Sequence, residues 1–200
     1  MKKKFLKSTM KFITKNKQYT QDEIDIMTYG LETLYLTFTK LIIIFLTAIL
    51  LGIVKEVIIL LITYNIIRSQ SFGIHASKSI YCLISSLLTF IGGALICKYL
   101  VFPNWLMITL AVICNICLLL FAPADTHKRP LINVKKRKRF KFVSFSLGII
   151  YTILIIVFKD YSIVKYLLVG MIEAVIMILP LTYKIFKLPY NNYKNYNYGV

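Results

Sequence analysis

The residues best suited to chemistry lie close together in one short polar segment. It contains His75, one of only two histidines in the chain, and Cys82, seven residues later. A cysteine nucleophile needs a neighbouring base or cation that favours the thiolate, and histidine is the usual base because it titrates near neutral pH. Such a pair would suit acyl transfer. From the residues alone we favour a simpler interpretation, a polar loop with an interfacial histidine and a small buried cysteine.

The spacing of the two residues constrains any joint role. On one straight helix they would lie about 10.5 Å apart along the axis, whereas a hydrogen bond needs about 3 Å. A working pair therefore requires a bend in the chain. We expect His75 on an irregular segment after Gly73. A new helix should begin between Ala76 and Ile80 and carry Cys82 in its first turns.

The composition excludes an ordinary soluble domain. Apolar residues make up 58% of the chain and charged residues 16%, whereas globular domains have about 45–50% and about 25%. Such hydrophobicity excludes intrinsic disorder, and four cysteines in 200 residues do not suit a disulfide-rich secreted scaffold. The basic residues that give the net charge of +17 lie mostly between the apolar runs and at the ends of the chain. This placement therefore favours anionic lipid or an acidic partner over nucleic acid, and the chain is predicted to span a membrane several times.

Six apolar runs predict an all-α polytopic membrane protein with about six transmembrane helices. A helix needs about 20 mostly apolar residues to cross the hydrocarbon core. The second run is short by that measure, so four spans with two buried or re-entrant segments are the alternative. The runs are Leu34–Val54, Val57–Ile67, Ile80–Val101, Trp105–Ala122, Phe142–Phe158 and Tyr161–Leu181.

The sequence divides into three parts around these runs. Residues 1–33 mix lysines with apolar residues and are expected to form a cytoplasmic, interfacial amphipathic segment. Within it, Thr20 and Glu23 have the spacing of a helix capping box. Residues 34–183 would form the six-helix transmembrane domain. Residues 184–200 are low in complexity and are expected to be a disordered cytoplasmic tail.

The basic residues predict the orientation. Twenty of the 25 Lys and Arg residues lie in the N-terminal segment, in the loops after the second and fourth runs, and in the tail. Only four lie in the alternate connections. Because cytoplasmic loops carry an excess of Lys and Arg, both termini are expected in the cytoplasm.

Two motifs resemble those of a known family. Arg68, the segment Gly73-Ile-His75-Ala and Cys82 resemble the signature of the accessory gene regulator B (AgrB) membrane peptidases of Gram-positive quorum sensing. The stretch Ala122-Pro-Ala-Asp-Thr-His-Lys-Arg-Pro130, followed by basic residues, is similar to the central cytoplasmic loop of the same family. Size, basic N-terminus and six apolar runs agree, so the resemblance covers most of the chain.

The resemblance implies a concrete activity. These peptidases remove the C-terminal part of a short quorum-sensing propeptide, here an AgrD-like one, and help to close the remainder into a cyclic thiolactone or lactone. By position, Cys82 would be the nucleophile and His75 the general base and later acid. Arg68 and Gly73 match motif positions, and Arg68 would either bind a substrate carboxylate or hold the loop. The resemblance further implies a homodimer in the bacterial cytoplasmic membrane. The basic charge predicts contact with anionic lipid rather than nucleic acid. Two histidines without an H-E-x-x-H pattern argue against a zinc site, and no cofactor is expected.

Polar residues inside the apolar runs favour a different class, a small transporter or channel. Glu173 would be costly in the membrane unless it is protonated, pairs with Lys165 or lines a polar cavity. Asn65 and Asn115 could hydrogen-bond between helices. The spacing Cys114-x-x-Cys117 suits redox or metal chemistry, but it lies in an apolar run and is better explained by small core residues.

Thiol labelling tests the orientation. In an otherwise cysteine-free chain, Asn133→Cys should react with a membrane-impermeant reagent only after the cells are opened, because segments 68–79 and 123–141 are predicted to be cytoplasmic. Asn104→Cys, in the connection after the third run, is the matched control and should react in intact cells. Strong labelling of position 133 from outside would contradict the predicted topology.

Overall fold

The described part of the chain is helical almost throughout, as the sequence predicts. The structure, a computed structural model, describes residues 2–14, 19–74, 79–126 and 130–195. Within these ranges it has nine α-helices and no β-strand, and Phe72 and Ala124 form an isolated β-bridge. The helices are α1 (Lys2–Ile13), α2 (Gln21–Leu50), α3 (Val54–Ser71), α4 (Ser79–Leu87), α5 (Gly93–Tyr99), α6 (Asn104–Phe121), α7 (Val134–Val157), α8 (Ile163–Ile176) and α9 (Pro180–Ile185).

Four helical segments among the described residues are long and apolar enough to cross a membrane. A π-helical turn, Leu88–Gly92, joins α4 to α5, so that these two helices form one such segment. The all-α membrane fold is therefore confirmed. The second and sixth apolar runs form α3 and α8, but α3 has charged residues at both ends and α8 has only 14 residues. Six spans stay a prediction. The four segments are Glu23–Leu50, Ile80–Tyr99, Asn104–Phe121 and Val134–Val157.

The predicted capping box starts α2. The Glu23 amide donates to the Thr20 hydroxyl (3.3 Å), and the Thr20 amide donates to the Glu23 carboxylate (2.9 Å). These bonds satisfy amides that the end of a helix leaves without partners. The helix then runs without a break across residue 33, where hydropathy placed the end of the interfacial segment. Its apolar side chains stay exposed at Phe38, Ile42 and Ile49, as expected for a helix that faces lipid.

The central helix is α3, which packs most extensively against α8. Gly170 of α8 permits this approach, because a Cβ atom there would lie 2.7 Å from the Thr63 hydroxyl oxygen and 2.9 Å from the Tyr64 amide nitrogen. The Thr63 hydroxyl donates to the Tyr166 carbonyl (3.1 Å). The Tyr151 hydroxyl of α7 donates to the Thr63 carbonyl (3.0 Å). Small residues and inter-helix hydrogen bonds thus hold three helices together. This is usual in a bilayer, because the hydrophobic effect does not drive helices to associate where the solvent is lipid.

The two asparagines inside the apolar runs behave differently. Asn115 links α6 to α7, as predicted, since its amide donates to the Gly148 carbonyl (3.2 Å) and to the Thr152 hydroxyl. Asn65 does not link helices. Its side chain lies on an exposed face of α3, and its amide donates to the Leu61 carbonyl of the same helix (2.7 Å).

The α3–α8 contact predicts a stability difference between two glycine substitutions. Gly170→Ala should lower the free energy of unfolding by about 1–3 kcal/mol, because the added methyl group overpacks the interface at Thr63 and Tyr64. Gly30→Ala is the matched control, since Gly30 lies in α2 with no atom within 4 Å of an added Cβ. That change should stabilise slightly through helix propensity. The measurement is the thermal stability of the detergent-solubilised chain, and equal effects of the two changes would contradict the prediction.

Candidate active site

The helix before the candidate segment ends where the sequence predicts an irregular stretch. Helix α3 stops at Ser71, and residues 72–74 are not helical. Phe72 and Gly73 both have positive φ, 58° and 107°. His75 lies outside the described residues, as do residues 76–78, so the His75–Cys82 separation stays a prediction. The next described helical residue is Ser79.

Cys82 lies in the first described turn of α4 with a half-buried, free thiol. Its carbonyl accepts a hydrogen bond from the Ser85 hydroxyl (3.0 Å). The thiol is thus neither sealed in the core nor fully in solvent, which suits a nucleophile that must reach a substrate.

The other three cysteines are placed as core residues. All are free thiols. Cys97 and Cys114 are buried in two different hydrophobic clusters. Cys117 is partly buried and packs against the cluster that contains Cys114. Within the described ranges, no group of three His, Cys, Asp or Glu side chains could hold a metal ion.

Arg68 and Gly73 contact each other directly. One guanidinium nitrogen, Nη2, donates to the Ile74 carbonyl (2.5 Å). A Cβ atom on Gly73 would collide with the other nitrogen, Nη1, and with the Met177 carbonyl oxygen at the end of α8. The Ile74 amide donates to this same Met177 carbonyl (3.1 Å). Arg68 thus contacts the loop after α3 in this structure, and its two expected roles, support of the loop and binding of a substrate carboxylate, stay predictions.

The second motif of the sequence packs directly onto the first. Ala124 pairs with Phe72 in an isolated parallel β-bridge. Its amide donates to the Ser71 carbonyl (2.9 Å), and its carbonyl accepts from the Gly73 amide (2.7 Å). Two segments about fifty residues apart in the sequence thus form one backbone-paired unit at the end of the bundle. Neither motif alone indicates this contact.

Sequence reasoning missed the role of Asp125. Asp125 belongs to the second motif, but the sequence pattern predicts no contact for its side chain. The side chain is buried, and its carboxylate accepts hydrogen bonds from the amides of Asn192 (2.9 Å), Tyr193 (2.8 Å) and Leu131 (3.3 Å). The signal that could have found it is an acidic residue in a short loop that directly follows an apolar run, in a chain with only 8 Asp and Glu.

The part of the C-terminal segment that the structure describes makes defined contacts. Residues 184–195 are described and include a 3₁₀ turn at Asn192–Asn195. Asn192 is buried, and Tyr190 packs edge-to-face on Tyr183 with ring centroids 5.0 Å apart. The physical reason is that repeated tyrosines and asparagines can bury rings and satisfy polar groups once a matching surface is present. Burial raises the pKa of Tyr183, so this phenol keeps the proton that it donates to the Asp125 carbonyl (2.9 Å).

Glu173 does not form the ion pair considered for it. The Lys165 ammonium donates instead to the Leu100 carbonyl (2.9 Å). A Cβ on Gly93 would collide with Glu173 Oε1, so this carboxyl packs tightly against α5. Its other oxygen is buried without a hydrogen-bond partner among the described residues.

Comparison with known proteins adds the family. The family described as accessory gene regulator B matches residues 6–179. The chain belongs to this family. It is 34% identical to an AgrB-like protein of Clostridium acetobutylicum over 180 residues, 89% of this chain and 86% of the relative. It is 32% identical to an AgrB-like protein of Listeria innocua over 168 residues, 84% and 82% of the two chains.

A named relative agrees with this assignment. The accessory gene regulator protein B of Staphylococcus aureus is 27% identical over 152 residues, which cover 76% of this chain and 80% of the relative. No solved structure matches the chain. As a member of the AgrB family, the protein has a role in the agr quorum-sensing system.

The contacts around Gly73 predict a large effect of a single methyl group. Gly73→Ala should lower the free energy of unfolding by about 2–5 kcal/mol, because it adds an unfavourable positive φ to a collision with Arg68 and Met177. Gly52→Ala is the matched control, since Gly52 has φ +62° and no atom within 4 Å of an added Cβ. Gly52→Ala should lower the free energy of unfolding by about 1 kcal/mol, because it adds only the backbone strain of a positive φ. Thermal unfolding in detergent measures both, and an equal loss would show that the close approach does not matter.

Proposed function

We propose that the protein is a membrane-embedded cysteine endopeptidase. It would cleave the C-terminal part from a short AgrD-like propeptide and help to form the cyclic thiolactone or lactone signal. The observation that carries this proposal is the half-buried, free Cys82 in the first described turn of α4, the next described helix after α3 ends at Phe72 and Gly73. Membership of the AgrB family and the two paired motifs support the same assignment.

The first chemical step would form an acyl-enzyme. His75 takes the proton from the Cys82 thiol, and the sulfur attacks the carbonyl carbon of the scissile peptide bond. The carbon–nitrogen bond breaks, and the leaving amine receives the proton from His75. The products of this step are a thioester on Cys82 and the free C-terminal peptide.

The second step would close the ring. A thiol or hydroxyl inside the acylated peptide gives its proton to His75 and attacks the thioester carbonyl, which displaces the Cys82 sulfur. The sulfur regains the proton from His75. With an internal thiol, one thioester replaces another, so this step is close to neutral in free energy. Forming a thioester from an amide is unfavourable in free energy. Removal of the released peptide or of the cyclic product must therefore drive the two-step reaction forward.

The location of Cys82 would favour cyclisation over hydrolysis. Water would convert the thioester into a linear acid, which wastes the intermediate. A half-buried thiol at the end of a membrane bundle meets less water than one in an open cleft, so an internal nucleophile gains an advantage. The beginning of a helix is also electrostatically suited to a thiolate.

The proposal includes a cellular setting and partners. The protein would lie in the bacterial cytoplasmic membrane with six spans and both termini in the cytoplasm. Its basic N-terminal segment and loops would contact anionic lipid. It would work as a homodimer and without a cofactor, on a propeptide presented at the membrane surface.

The rival class, a transporter or channel, has lost part of its support. Asn115 is used in the contact between α6 and α7, and Asn65 bonds only to its own helix. Among the described residues, Glu173 Oε2 and Asn115 Oδ1 are buried without a hydrogen-bond partner, so these two oxygens are the support that the rival class keeps.

Substitution of the candidate catalytic residues tests the proposal. Cys82→Ala should abolish cleavage of the co-expressed cognate propeptide, because no nucleophile is left. Cys82→Ser should be far slower, since a hydroxyl is a weaker nucleophile than a thiolate. His75→Ala should also stop turnover without preventing insertion into the membrane. Mass spectrometry of the propeptide and its cyclic product is the measurement.

The remaining cysteines provide the control. Joint replacement of Cys97, Cys114 and Cys117 by Ala should leave cleavage intact, because these thiols are core residues. A triple variant that is well expressed but inactive would refute a single catalytic cysteine.

A further inference from the structure

We propose that Asp125 is a positioning residue for the catalytic segment and that the C-terminal segment 188–195 is the element it binds for this purpose. The inference rests on the proposed function of His75 and Cys82. It goes beyond that function because it assigns a role to a loop and a tail that hold none of the reacting groups. Four observations lead to it.

The first observation is the number of donors that converge on Asp125. This buried side chain is only 3% exposed. Its Oδ1 accepts from the Asn192 amide (2.9 Å), and its Oδ2 accepts from the amides of Tyr193 (2.8 Å) and Leu131 (3.3 Å). Hydrogen bonds to an ionised carboxylate are stronger than those between neutral groups. Asp125 thus caps the 3₁₀ turn at Asn192–Asn195 from another part of the chain, since that turn begins with two of these amides.

The second observation is that the backbone of Asp125 is held as well. Its carbonyl accepts from the Tyr183 hydroxyl (2.9 Å). The Asn192 side-chain amide turns back to the Pro189 carbonyl (2.9 Å), which closes the tail segment on itself. Loop and tail are therefore joined through both the side chain and the main chain of one residue.

The third observation is an aromatic contact that joins the tail to α7. The Arg137 guanidinium lies 3.7 Å from the centroid of the Tyr193 ring. Arg137 belongs to the basic stretch at the start of α7, so the tail is bound on two sides, by a carboxylate of the loop and a cation of the helix. Such a contact between Arg and an aromatic face is favourable even at partly exposed sites.

The fourth observation connects this cluster to the catalytic segment. Ala124, the residue before Asp125, pairs through its amide and carbonyl with Ser71 and Gly73. Gly73 precedes His75 by two residues. Because the peptide bond is planar and the backbone has only two soft torsions per residue, a shift of Asp125 must move Ala124 and, through it, Gly73. The tail is thus linked to the histidine segment by direct hydrogen bonds and a few covalent bonds.

Loss of the carboxylate has a defined consequence. Three amides that it satisfies would lose their charged acceptor, and two of them belong to the tail. The tail should then detach, and the Ala124–Gly73 pairing should loosen. The Cys82 thiol would keep its place on α4, whereas the base that activates it would no longer be held beside it.

The reactivity of Cys82 toward iodoacetamide tests this inference without the propeptide. The full-length chain with Cys97, Cys114 and Cys117 replaced by Ala is solubilised in mild detergent, and the alkylation rate is followed against pH. Asp125→Asn and truncation after Leu188 should each lower the rate at neutral pH about tenfold, by moving the profile about one pH unit upward, and His75→Ala should have the same effect. Asp160→Asn, a change at an exposed aspartate, and truncation after Asn195, which keeps all the contacts described above, are the matched controls and should leave the profile unchanged.

A second readout follows the tail itself. Trypsin should remove a C-terminal epitope faster from Asp125→Asn than from Asp160→Asn, because the exposed Lys187 and Lys194 become more mobile. If Asp125→Asn does not fold, Tyr183→Phe takes its place, since it removes only the hydroxyl that donates to the Asp125 carbonyl. A released tail with an unchanged alkylation profile would overturn the positioning role. If His75→Ala itself leaves the profile unchanged, the His75–Cys82 pair and the proposed function fail, and the positioning role fails with them.

Discussion

Gly73 has no side chain, and the space that a Cβ atom would need is filled by the Arg68 guanidinium and the Met177 carbonyl. This close approach lets the chain leave α3, turn at two residues with positive φ, and still satisfy its backbone. The Gly73 amide donates to Ala124 and the Ile74 amide to Met177. The ends of α3, α6 and α8 are thereby joined at one point, and the candidate catalytic segment begins there.

The bundle explains why this point can be so well defined. Inside the apolar region, a few polar groups fix the helices to one another, such as Thr63 between α3 and α8 and Asn115 between α6 and α7. An unsatisfied polar group is costly away from water, so these contacts allow few alternative arrangements. The ends of these rigid helices therefore have fixed positions. The irregular backbone that follows α3, where the candidate catalytic segment begins, is confined to the end of the bundle.

The site thus has two kinds of support. One is the close packing of small residues that holds α8 against α3, as Gly170 does at Thr63 and Tyr64. The polar loop and tail around Asp125 depend instead on charge-assisted hydrogen bonds and ring contacts.

The sequence by itself determined the class of fold and the chemistry to look for. Apolar runs of membrane length, the Thr20–Glu23 capping box and the cysteine after a glycine-broken segment follow from local rules of hydropathy, capping and backbone freedom. Only the tertiary structure decided that the loop at Ala124 pairs with Gly73 and that Asp125 binds the tail. These contacts join residues about fifty to seventy positions apart, and local pattern carries no information about such distances. The low-complexity tail is the clearest case, because its tyrosines and asparagines make these contacts only where a distant part of the chain supplies a matching surface.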